Sequence, residues 1–418
     1  MSAPAARKPL MALDAALSQL LGALDGHTLL TERVPTLECD GRVLAQDVVS
    51  ALQVPPQDNS SMDGYAVRVA DVAPGVPLPV SQRIAAGSSG VPLEPGTVAR
   101  IFTGAPIPHG ADAVVMQEDC TEVAARNPAD TRPAITIHTQ PQSGQWIRCQ
   151  GEDVTLGHAV LRAGQRLGPA ALGMAASVGF EDLLVARRPR VALFSTGDEL
   201  VMPGQVQPQN MATGAIYNSN RFFLASLLKR MGCEVTDLGI VPDRLDATVS
   251  ALQHASEAHD VILTSGGVSV GEEDHIKPAV QSLGTLDLWQ IAIKPGKPFA
   301  HGRIGQAHFV GLPGNPVSSF MTFLLLVRPF LLRMQGVADV SLPAQTLRAE
   351  FAWPRADRRQ EFLRVRRNGA GGLDLFPNQS SGVLSSAVWG DGFVDNPPAC
   401  TIAVGDAVRF VAFNELLA

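Results

Sequence analysis

Asp260-Val-Ile-Leu-Thr-Ser-Gly-Gly-Val-Ser-Val-Gly271 is the stretch that decides the fold, because a short apolar run here passes into a glycine-rich loop. The β-branched residues within 261–264 predict a buried strand. Gly266, Gly267 and Gly271 follow that strand, and glycine permits positive φ angles and close approach of the backbone to a ligand. Successive exposed N–H groups in such a loop can bind an anion. We therefore expect a strand followed by an anion-binding loop.

Charged residues surround this loop. Glu272, Glu273 and Asp274 would repel a phosphate unless a hard cation such as Mg²⁺ lay between them. Lys294 and Lys297 flank a Pro-Gly turn a little further on, and their ammonium groups can pair with phosphate or other oxyanion oxygens. An ordinary solvated turn would explain the glycines alone. The combination of glycines, carboxylates and lysines instead favours a metal-bridged anion site.

The chain around the loop alternates strands with helices. Strands are predicted at 191–194, 234–240 and 261–264, and helices at 218–231 and 245–254. This alternation predicts a parallel, doubly wound sheet, in which ligands bind outside the carboxyl ends of the strands. The loops that begin at Ser195, Val241 and Ser265 all follow strands, so we expect them to share one edge. An apolar helix at 320–334, with a kink at Pro329, would close this domain.

Polar residues occupy the same predicted edge. Ser195-Thr-Gly-Asp-Glu-Leu200 offers hydroxyls and carboxylates, and Asp243 follows the second strand. A helix cap and a turn are the alternative explanations for these two features. In Gly311-Leu-Pro-Gly-Asn-Pro-Val-Ser-Ser319, the prolines predict a rigid loop in which Ser318 or Ser319 caps the next helix. Turn chemistry alone would explain the same residues.

Two other parts of the chain are predicted to be β domains. Prolines and glycines recur among short apolar runs in 51–150, which predicts a small all-β domain inserted into a connecting α/β segment formed by 8–50 and 151–184. The α/β domain would cover 185–338. Short strands and turns in 339–418 predict a C-terminal barrel or sandwich. The fold class is therefore α/β plus β, with a doubly wound parallel-sheet domain, an inserted all-β domain and a C-terminal β-barrel-like domain.

Composition narrows the class of protein. The 418 residues are 45% hydrophobic and 17% charged, as in globular proteins of about three domains. The formal net charge of −7 and the lack of a basic stripe predict no nucleic-acid partner. Five widely spaced cysteines indicate neither disulfides nor zinc and suit a cytoplasmic protein. The apolar run 320–327 is shorter than the roughly 18 residues of a membrane span, so no membrane partner is expected.

Familiar catalytic motifs do not occur in the sequence. There is no Gly-x-x-x-x-Gly-Lys-Ser/Thr phosphate loop, no Gly-x-Ser-x-Gly elbow and no His-Glu-x-x-His. Arg364 lies on a predicted strand and offers a guanidinium suited to oxyanions, and the predicted loop 379–386 is rich in hydroxyls. Catalysis would therefore come from positioning, cation charge and lysines.

Seven motifs occur along nearly the whole chain: Ser61-Met-Asp-Gly-Tyr-Ala-Val-Arg68, Arg100-Ile-Phe-Thr-Gly-Ala105, Gly151-Glu-Asp153, Ser195-Thr-Gly-Asp-Glu-Leu200, Ser265-Gly-Gly-Val-Ser-Val-Gly271, Lys294-Pro-Gly-Lys-Pro298 and Leu312-Pro-Gly-Asn-Pro-Val-Ser318. Together they resemble the molybdopterin molybdenumtransferase family, which includes the E domain of gephyrin. The resemblance implies Mg²⁺-assisted insertion of molybdate into adenylylated molybdopterin with release of AMP. It also implies a homodimer of four-domain subunits with the site between subunits. Handover from the adenylyltransferase and onward to molybdoenzymes would complete the pathway.

The resemblance also implies roles for individual residues. Family catalytic positions match Asp63, Thr103, Asp153, Glu199, Asp243, Asp274, Lys294, Lys297, Arg364 and Ser386, with Ser385 as the alternative to Ser386. Among these, the metal would be held by Glu199, Asp243 and Asp274. Substrate binding would involve Ser195, Thr196, Gly197, Ser265, Gly266, Gly267, Ser269, Gly271, Pro313, Gly314 and Asn315. Asn218 stands where many relatives have Asp, which weakens the case for metal binding there.

Two other functions stay open. A scaffold protein could keep this architecture without turnover, although the intact acidic and lysine residues argue against it. A Mg²⁺-dependent phosphoanhydride hydrolase would fit the loops alone, and it would release AMP without any need for molybdate. The sequence also leaves open whether molybdate or tungstate is preferred.

Overall fold

The computed structural model describes residues 10–124, 132–267 and 275–417. The first elements are α1 (Leu13–Gly22), β1 (Thr31–Pro35) and β2 (Val48–Val49). Helix α1 falls within the segment that the sequence assigned to the connecting unit. Its buried residues Leu13 and Leu20 instead join the core of the α/β domain, and Met11 bridges to Ile291. The N-terminal helix is therefore part of the α/β packing.

The inserted domain is all-β over its described residues, as predicted. Its strands are β3 (Asn59–Ser60), β4 (Gly64–Val67), β5 (Pro77–Ile84), β6 (Val98–Ile101), β7 (Ala113–Met116), β8 (Cys120–Val123), β9 (Ala134–Ile137) and β10 (Ile147–Arg148). The main sheet has the order β7-β4-β6-β5-β9-β8, while β10 pairs with β3. Tyr65 and Val67 face one core and Ala66 faces another, because successive side chains of a strand point to opposite faces.

The chain then returns to the strands that preceded the insertion. The returning elements are β11 (Ala159–Leu161), α2 (Pro169–Ser177) and β12 (Asp182–Ala186). Strand β12 pairs antiparallel with β1, and β11 pairs with β2. Pro169 occupies the first turn of α2, where its missing N–H is not needed. The segments on either side of the insertion thus form one connecting unit.

The α/β domain contains the predicted sheet. Its elements up to the closing helix are β13 (Arg190–Thr196), β14 (Leu200–Val201), β15 (Ile216–Tyr217), α3 (Asn220–Arg230), β16 (Glu234–Val241), α4 (Leu245–Ala258), β17 (Val261–Ser265), α5 (Ile276–Leu283), β18 (Gly284–Gln290), β19 (Ile293–Lys294), β20 (Pro298–Ile304) and β21 (Ala307–Leu312). The strand order is β16-β13-β17-β21-β20-β18. Strands β16, β13, β17 and β21 are parallel, which confirms the prediction, and β20 runs antiparallel to both of its neighbours.

Helices cover both faces of this sheet. Leu193 of β13 shares a core with Leu224 of α3, whereas its neighbour Phe194 packs with Leu252 of α4 and Ala279 of α5. The alternation follows from the two-residue period of a strand. A sheet that is buried on both faces leaves its strand ends as the accessible edge for a ligand.

The closing helical run differs from the prediction in two details. It consists of α6 (Pro316–Thr322), a π-helical segment (Phe323–Val327) and α7 (Arg328–Met334). The irregularity therefore precedes Pro329, which lies in the first turn of α7, where proline is tolerated. The predicted Ser318 or Ser319 cap is wrong, because Asn315 holds the cap position and both serines are buried within α6.

The same run is the one candidate membrane span among the described residues by length and composition. It covers Pro316–Met334 and is 89% buried inside the protein. Side chains such as Phe323, Leu326 and Phe330 are fully covered by the surrounding domain. This helix is therefore accounted for as the core of the α/β domain.

The C-terminal domain is a closed barrel. Its elements are β22 (Ala344–Ala349), β23 (Gln360–Arg367), β24 (Gly372–Leu375), α8 (Ser385–Trp389), β25 (Gly392–Asn396), β26 (Ala407–Ala412) and α9 (Phe413–Leu417). The pairings run β23-β24-β22-β26-β25, and β25 pairs back onto β23. Strand β19 of the α/β domain adds to β23 in parallel, opposing Lys294 to Glu361. The predicted barrel is confirmed, and the lysine turn is one of its contacts with the α/β domain.

Candidate active site

A cleft of about 580 Å³ lies at the carboxyl ends of the parallel strands. Strands β13, β17 and β21 end at Thr196, Ser265 and Leu312, and the loops that follow them form its walls. The predicted residues that line the cleft are Ser195, Thr196, Gly197, Glu199, Asp243, Ser265, Gly266, Gly267, Pro313, Gly314 and Asn315. Parallel strand ends meet at one sheet edge, and this explains why residues far apart in sequence share one cleft.

Glycine is required at two points of the cleft wall. Gly197 has φ +139°, and a Cβ there would lie 2.6 Å from a carboxylate oxygen of Glu199. Gly267 has φ +67°, and a Cβ there would lie 2.5 Å from the Ile276 side chain. Gly266 also has a positive φ. The predicted positive φ angles are therefore confirmed for Gly266 and Gly267, the two described glycines of the loop that follows β17.

Two buried polar atoms face the cleft without a hydrogen-bond partner. The Ser195 Oγ and Asn218 Nδ2 atoms have none in the described part of the chain, and the two residues are 1% and 2% exposed. The backbone N–H of Arg221 donates to Asn218 Oδ1 over 3.2 Å, which fixes the amide so that Nδ2 is the free atom. An unpaired buried polar group costs roughly 1–3 kcal/mol, so both atoms favour a ligand that completes their hydrogen bonds.

Asn220 ties the cleft loops together, a role that the sequence did not predict. Its Nδ2 donates to Ser265 Oγ over 2.8 Å and to the Gly314 carbonyl over 2.7 Å. Both amide hydrogens are therefore used to join the loops after β17 and β21 at the start of α3. The only sequence signal was a second asparagine two residues after Asn218. Its partners lie 45 and 94 residues further along the chain.

The predicted metal ligands are only partly described. Glu199 and Asp243 line the cleft, whereas Asp274 lies outside the described residues, as do Ser269 and Gly271. Within 10–124, 132–267 and 275–417, no group of three His, Cys, Asp or Glu side chains could hold a metal ion. Mg²⁺ commonly uses one or two carboxylates together with substrate phosphates and water. The two carboxylates of the cleft fit that type of site.

Arg364 of β23 is a buried cation with neutral partners. It is 1% exposed, its Nε donates to Ser386 Oγ over 3.1 Å, and its Nη1 donates to the Phe362 carbonyl over 2.8 Å. Burial lowers the pKa of the guanidinium to about 10. This geometry selects Ser386 over Ser385 as the partner of Arg364. Within the described residues no carboxylate forms an ion pair with it, so an anionic ligand would compensate its charge.

The barrel loop that carries these groups contacts the cleft wall. The Val317 N–H in the first turn of α6 donates to the Ser381 carbonyl over 2.9 Å. Pro316 and Ser318, on either side of Val317, line the cleft. The hydroxyl-rich loop that ends at Ser386 is thereby anchored beside the cleft by the tertiary structure.

The two predicted lysines differ in their surroundings. Lys294 Nζ lies 2.9 Å from Glu361 Oε1 and 3.6 Å from Asp357 Oδ2, while Lys297 is exposed. Neither lysine is among the described residues that line the cleft, although Pro298, next to Lys297, does line it. The lysine turn therefore lies between the cleft and the barrel.

The predicted residues Asp63 and Thr103 of the inserted domain contact each other, and Asp153 follows the insertion. Thr103 donates to Asp63 Oδ1 from both its N–H and its Oγ1, each over 2.8 Å. These bonds, the backbone one first, lower the pKa of the Asp63 carboxyl. Asp153 is exposed, and its N–H donates to the Val54 carbonyl. None of these three side chains lines the described cleft of its own chain.

Comparisons with known proteins agree with this architecture. Family models match in chain order: the MoeA N-terminal region (domain I and II) at 11–179, a probable molybdopterin binding domain at 192–333, and the MoeA C-terminal region (domain IV) at 346–413. The molybdopterin molybdenumtransferase of Haemophilus influenzae is 38% identical over 98% of this chain and 100% of its own. The enzyme of the same name from Synechococcus elongatus is 37% identical over 91% of this chain and 93% of its own.

A solved structure extends the agreement to three dimensions. The molybdopterin biosynthesis moeA protein of Pyrococcus horikoshii OT3 superposes with a TM-score of 0.81 and 28% identity, covering 97% of this chain and 100% of its own. The likeness covers nearly the whole chain, so the sheet of the α/β domain and the barrel are shared. The chain therefore belongs to the molybdopterin molybdenumtransferase family, whose members are transferases of molybdenum cofactor biosynthesis.

Proposed function

We propose that the protein inserts molybdate into adenylylated molybdopterin with release of AMP. The observation that carries this proposal is the buried Arg364 guanidinium, which donates to Ser386 and to main-chain carbonyls and has no carboxylate partner in the described chain. A planar cation with an adjacent hydroxyl suits the oxygens of a tetrahedral dianion. Burial strengthens the attraction because the surrounding dielectric constant is low.

The cleft is proposed to bind the adenylylated pterin. Ser195 Oγ and Asn218 Nδ2 supply hydrogen bonds that the protein itself leaves unmade. Gly266 and Gly267 allow the backbone to approach the phosphates closely. Repulsion between the phosphates and the incoming dianion is the main obstacle, and Lys294 and Lys297 would reduce it.

Mg²⁺ is the proposed cofactor. Glu199 and Asp243 on the cleft wall would hold it together with Asp274. When bound, the ion would neutralise phosphate charge and so lower the cost of bringing two anions together. Without a bound cation, the negative charge of these carboxylates on the cleft wall would be uncompensated.

We also propose a homodimer. Asp63, Thr103 and Asp153 do not line the described cleft of their own chain, so a partner subunit would have to bring its copies of them to it. The substrate would be received from an adenylyltransferase, and the product would pass to molybdoenzymes. The five cysteines are all unpaired, which supports a cytoplasmic location.

The test is AMP release from adenylylated molybdopterin, measured with and without molybdate. We expect molybdate-dependent release by the wild type, and a strong loss in Asp274→Asn and in Lys294→Ala. Equal release without molybdate would support a phosphoanhydride hydrolase instead. No release by a folded protein under any condition would support a scaffold, and wild-type rates in both variants would refute the site assignment.

A further inference from the structure

Glu361 is a buried carboxylate with both oxygens occupied. It lies on β23 and is 1% exposed. Its Oε1 receives the Lys294 ammonium over 2.9 Å, and its Oε2 accepts a hydrogen bond from Trp353 Nε1 over 2.7 Å. A buried charge persists only when it is paired and hydrogen-bonded, and here each oxygen has one partner. Glu361 is thus held at a fixed place in the barrel wall.

Lys294 meets this carboxylate because of the sheet register. Lys294 of β19 stands opposite Glu361 of β23 in a parallel pair. The Trp353 ring centre lies 5.9 Å from Lys294 Nζ, a cation–π distance. The Lys294 side chain nevertheless stays 39% exposed, so the ion pair with Glu361 does not bury it. Such an arrangement orients a charge without removing it from a ligand.

A second carboxylate competes for the same ammonium. Asp357 Oδ2 lies 3.6 Å from Lys294 Nζ and forms a shorter bond, 2.7 Å, with Arg359. Asp357 lies in the connection that leads into β23, four residues before Glu361. Without Glu361, Asp357 would be the nearest anion to Lys294 among the described residues, and the ammonium would shift toward it.

We propose that Glu361 is a positioning residue that holds the Lys294 ammonium in place for an oxyanion substrate, an inference that rests on the proposed function. Two effects of Glu361 oppose each other. Its negative charge weakens the attraction between Lys294 and an anion, whereas its bonds remove the rotational freedom that a lysine would otherwise lose on binding. We infer that positioning outweighs charge for two reasons. Lys294 lies closer to Glu361 than to Asp357, and Trp353 fixes the Glu361 carboxylate.

The first experiment tests whether Glu361 holds the Lys294 ammonium, an arrangement that we call the clamp, and it does not depend on enzyme activity. Acylation of lysines by an amine-reactive reagent is followed residue by residue with mass spectrometry on the full chain. Lys297, exposed on the same turn, is the internal reference. In the wild type we expect Lys294 to react several-fold more slowly than Lys297, and in Glu361→Gln to react faster than in the wild type, because the remaining contact with Asp357 is longer, at 3.6 Å. An unchanged Lys294 rate in Glu361→Gln would overturn the clamp, whatever the enzyme's substrate proves to be.

The second experiment measures its consequence. AMP release is followed against molybdate concentration for wild type, Glu361→Gln, Glu361→Asp and the matched control Asp357→Asn. We expect Glu361→Gln to raise the KM for molybdate about tenfold with kcat changed less than threefold. Glu361→Asp should recover part of the loss because it restores the charge, and Asp357→Asn should change KM less than threefold.

The outcomes separate the two proposals. A lower KM in Glu361→Gln would mean that the carboxylate acts only by its charge, and it would overturn positioning. A fall in kcat and thermal midpoint without a change in KM would assign Glu361 a structural role and overturn it also. Should wild type show no molybdate dependence, the proposed function fails, while the acylation rates still decide whether Glu361 holds Lys294.

Discussion

The cleft of the α/β domain and the lysine side of the barrel hold their polar groups in opposite ways. In the cleft, Ser195 Oγ and Asn218 Nδ2 are buried without partners. Beside the barrel, Lys294 is held by Glu361, and Arg364 is held by Ser386. The difference indicates that the two regions prepare for a ligand in different ways. The cleft leaves hydrogen bonds for a ligand to complete, whereas the barrel orients its cations before a ligand arrives.

The largest expected effect is at Arg364. Arg364→Met should reduce molybdate-dependent turnover by on the order of 100-fold or more, as for other lost charge-stabilising donors. It should change the thermal midpoint little, because relieving the desolvation of a buried cation with no paired carboxylate offsets the hydrogen bonds that Arg364 donates to Ser386 and to main-chain carbonyls. Turnover and thermal unfolding are measured on the same preparations.

Arg366→Met is the matched control for that prediction. Arg366 lies on the same strand, is exposed and stacks over the Trp389 ring at 4.5 Å. Its loss should leave turnover within about twofold, since exposed charges are screened by solvent. Equal losses of turnover in Arg364→Met and Arg366→Met would contradict a specific role for the buried cation.

Asn220→Asp should give the next largest effect. A carboxylate cannot donate to Ser265 Oγ and the Gly314 carbonyl, and it repels the carbonyl oxygen. We expect a loss of about 2–4 kcal/mol in the free energy of unfolding, since two buried acceptors lose their donor. The KM for the adenylylated substrate should rise about tenfold. Denaturant unfolding and steady-state kinetics test both, and unchanged unfolding would contradict the linking role of Asn220.

Ser195→Ala should have a smaller effect, and it tests whether the cleft leaves a hydrogen bond for its ligand to complete. Its hydroxyl has no partner in the described chain, so its removal should not destabilise the unliganded protein. The KM for the adenylylated substrate should rise about threefold to tenfold, because one hydrogen bond contributes roughly 0.5–1.5 kcal/mol. Thermal unfolding of the unliganded protein and steady-state kinetics with the adenylylated substrate are the measurements.

Thr264→Val serves as its control. Thr264 Oγ1 is also buried without a partner in the described chain, but Thr264 does not line the cleft. The same neutral effect on stability is expected, with no effect on KM. A rise in KM for Thr264→Val equal to that of Ser195→Ala would show that an unpaired hydroxyl alone does not indicate ligand contact.

The smallest expected effect concerns Asp63. Thr103→Val removes the side-chain bond to Asp63 and leaves the backbone one, so the pKa of the Asp63 carboxyl should rise toward its ordinary value of 3.8. Because the folded-state pKa is lowered, the stability linked to this ionisation is present above pH 3.8 and is lost as pH falls through the folded value. Carboxyl titration by NMR would record the rise, and no change would contradict a role for the Thr103 hydroxyl.

Much of the site could be read from the sequence because its signals are local. Ser195 and Ser265 follow the short apolar runs 191–194 and 261–264, so their places near strand ends were predictable. The positive φ angles of Gly266 and Gly267 follow from the same loop chemistry. The π-helical segment before Pro329 was not predictable, because it depends on how the whole apolar run packs in the core.

The sequence by itself determined the order of strands and helices, the glycine loops and the supply of charged residues, since each depends on interactions within a few positions. Only the tertiary structure decided that Lys294 meets Glu361, that Asn220 joins Ser265 to Gly314, and that Arg364 meets no carboxylate within the described chain. The contacts of Lys294 and Asn220 link residues 45 to 94 positions apart. They exist because parallel strand pairing and barrel closure bring distant segments together, and no local pattern encodes that register.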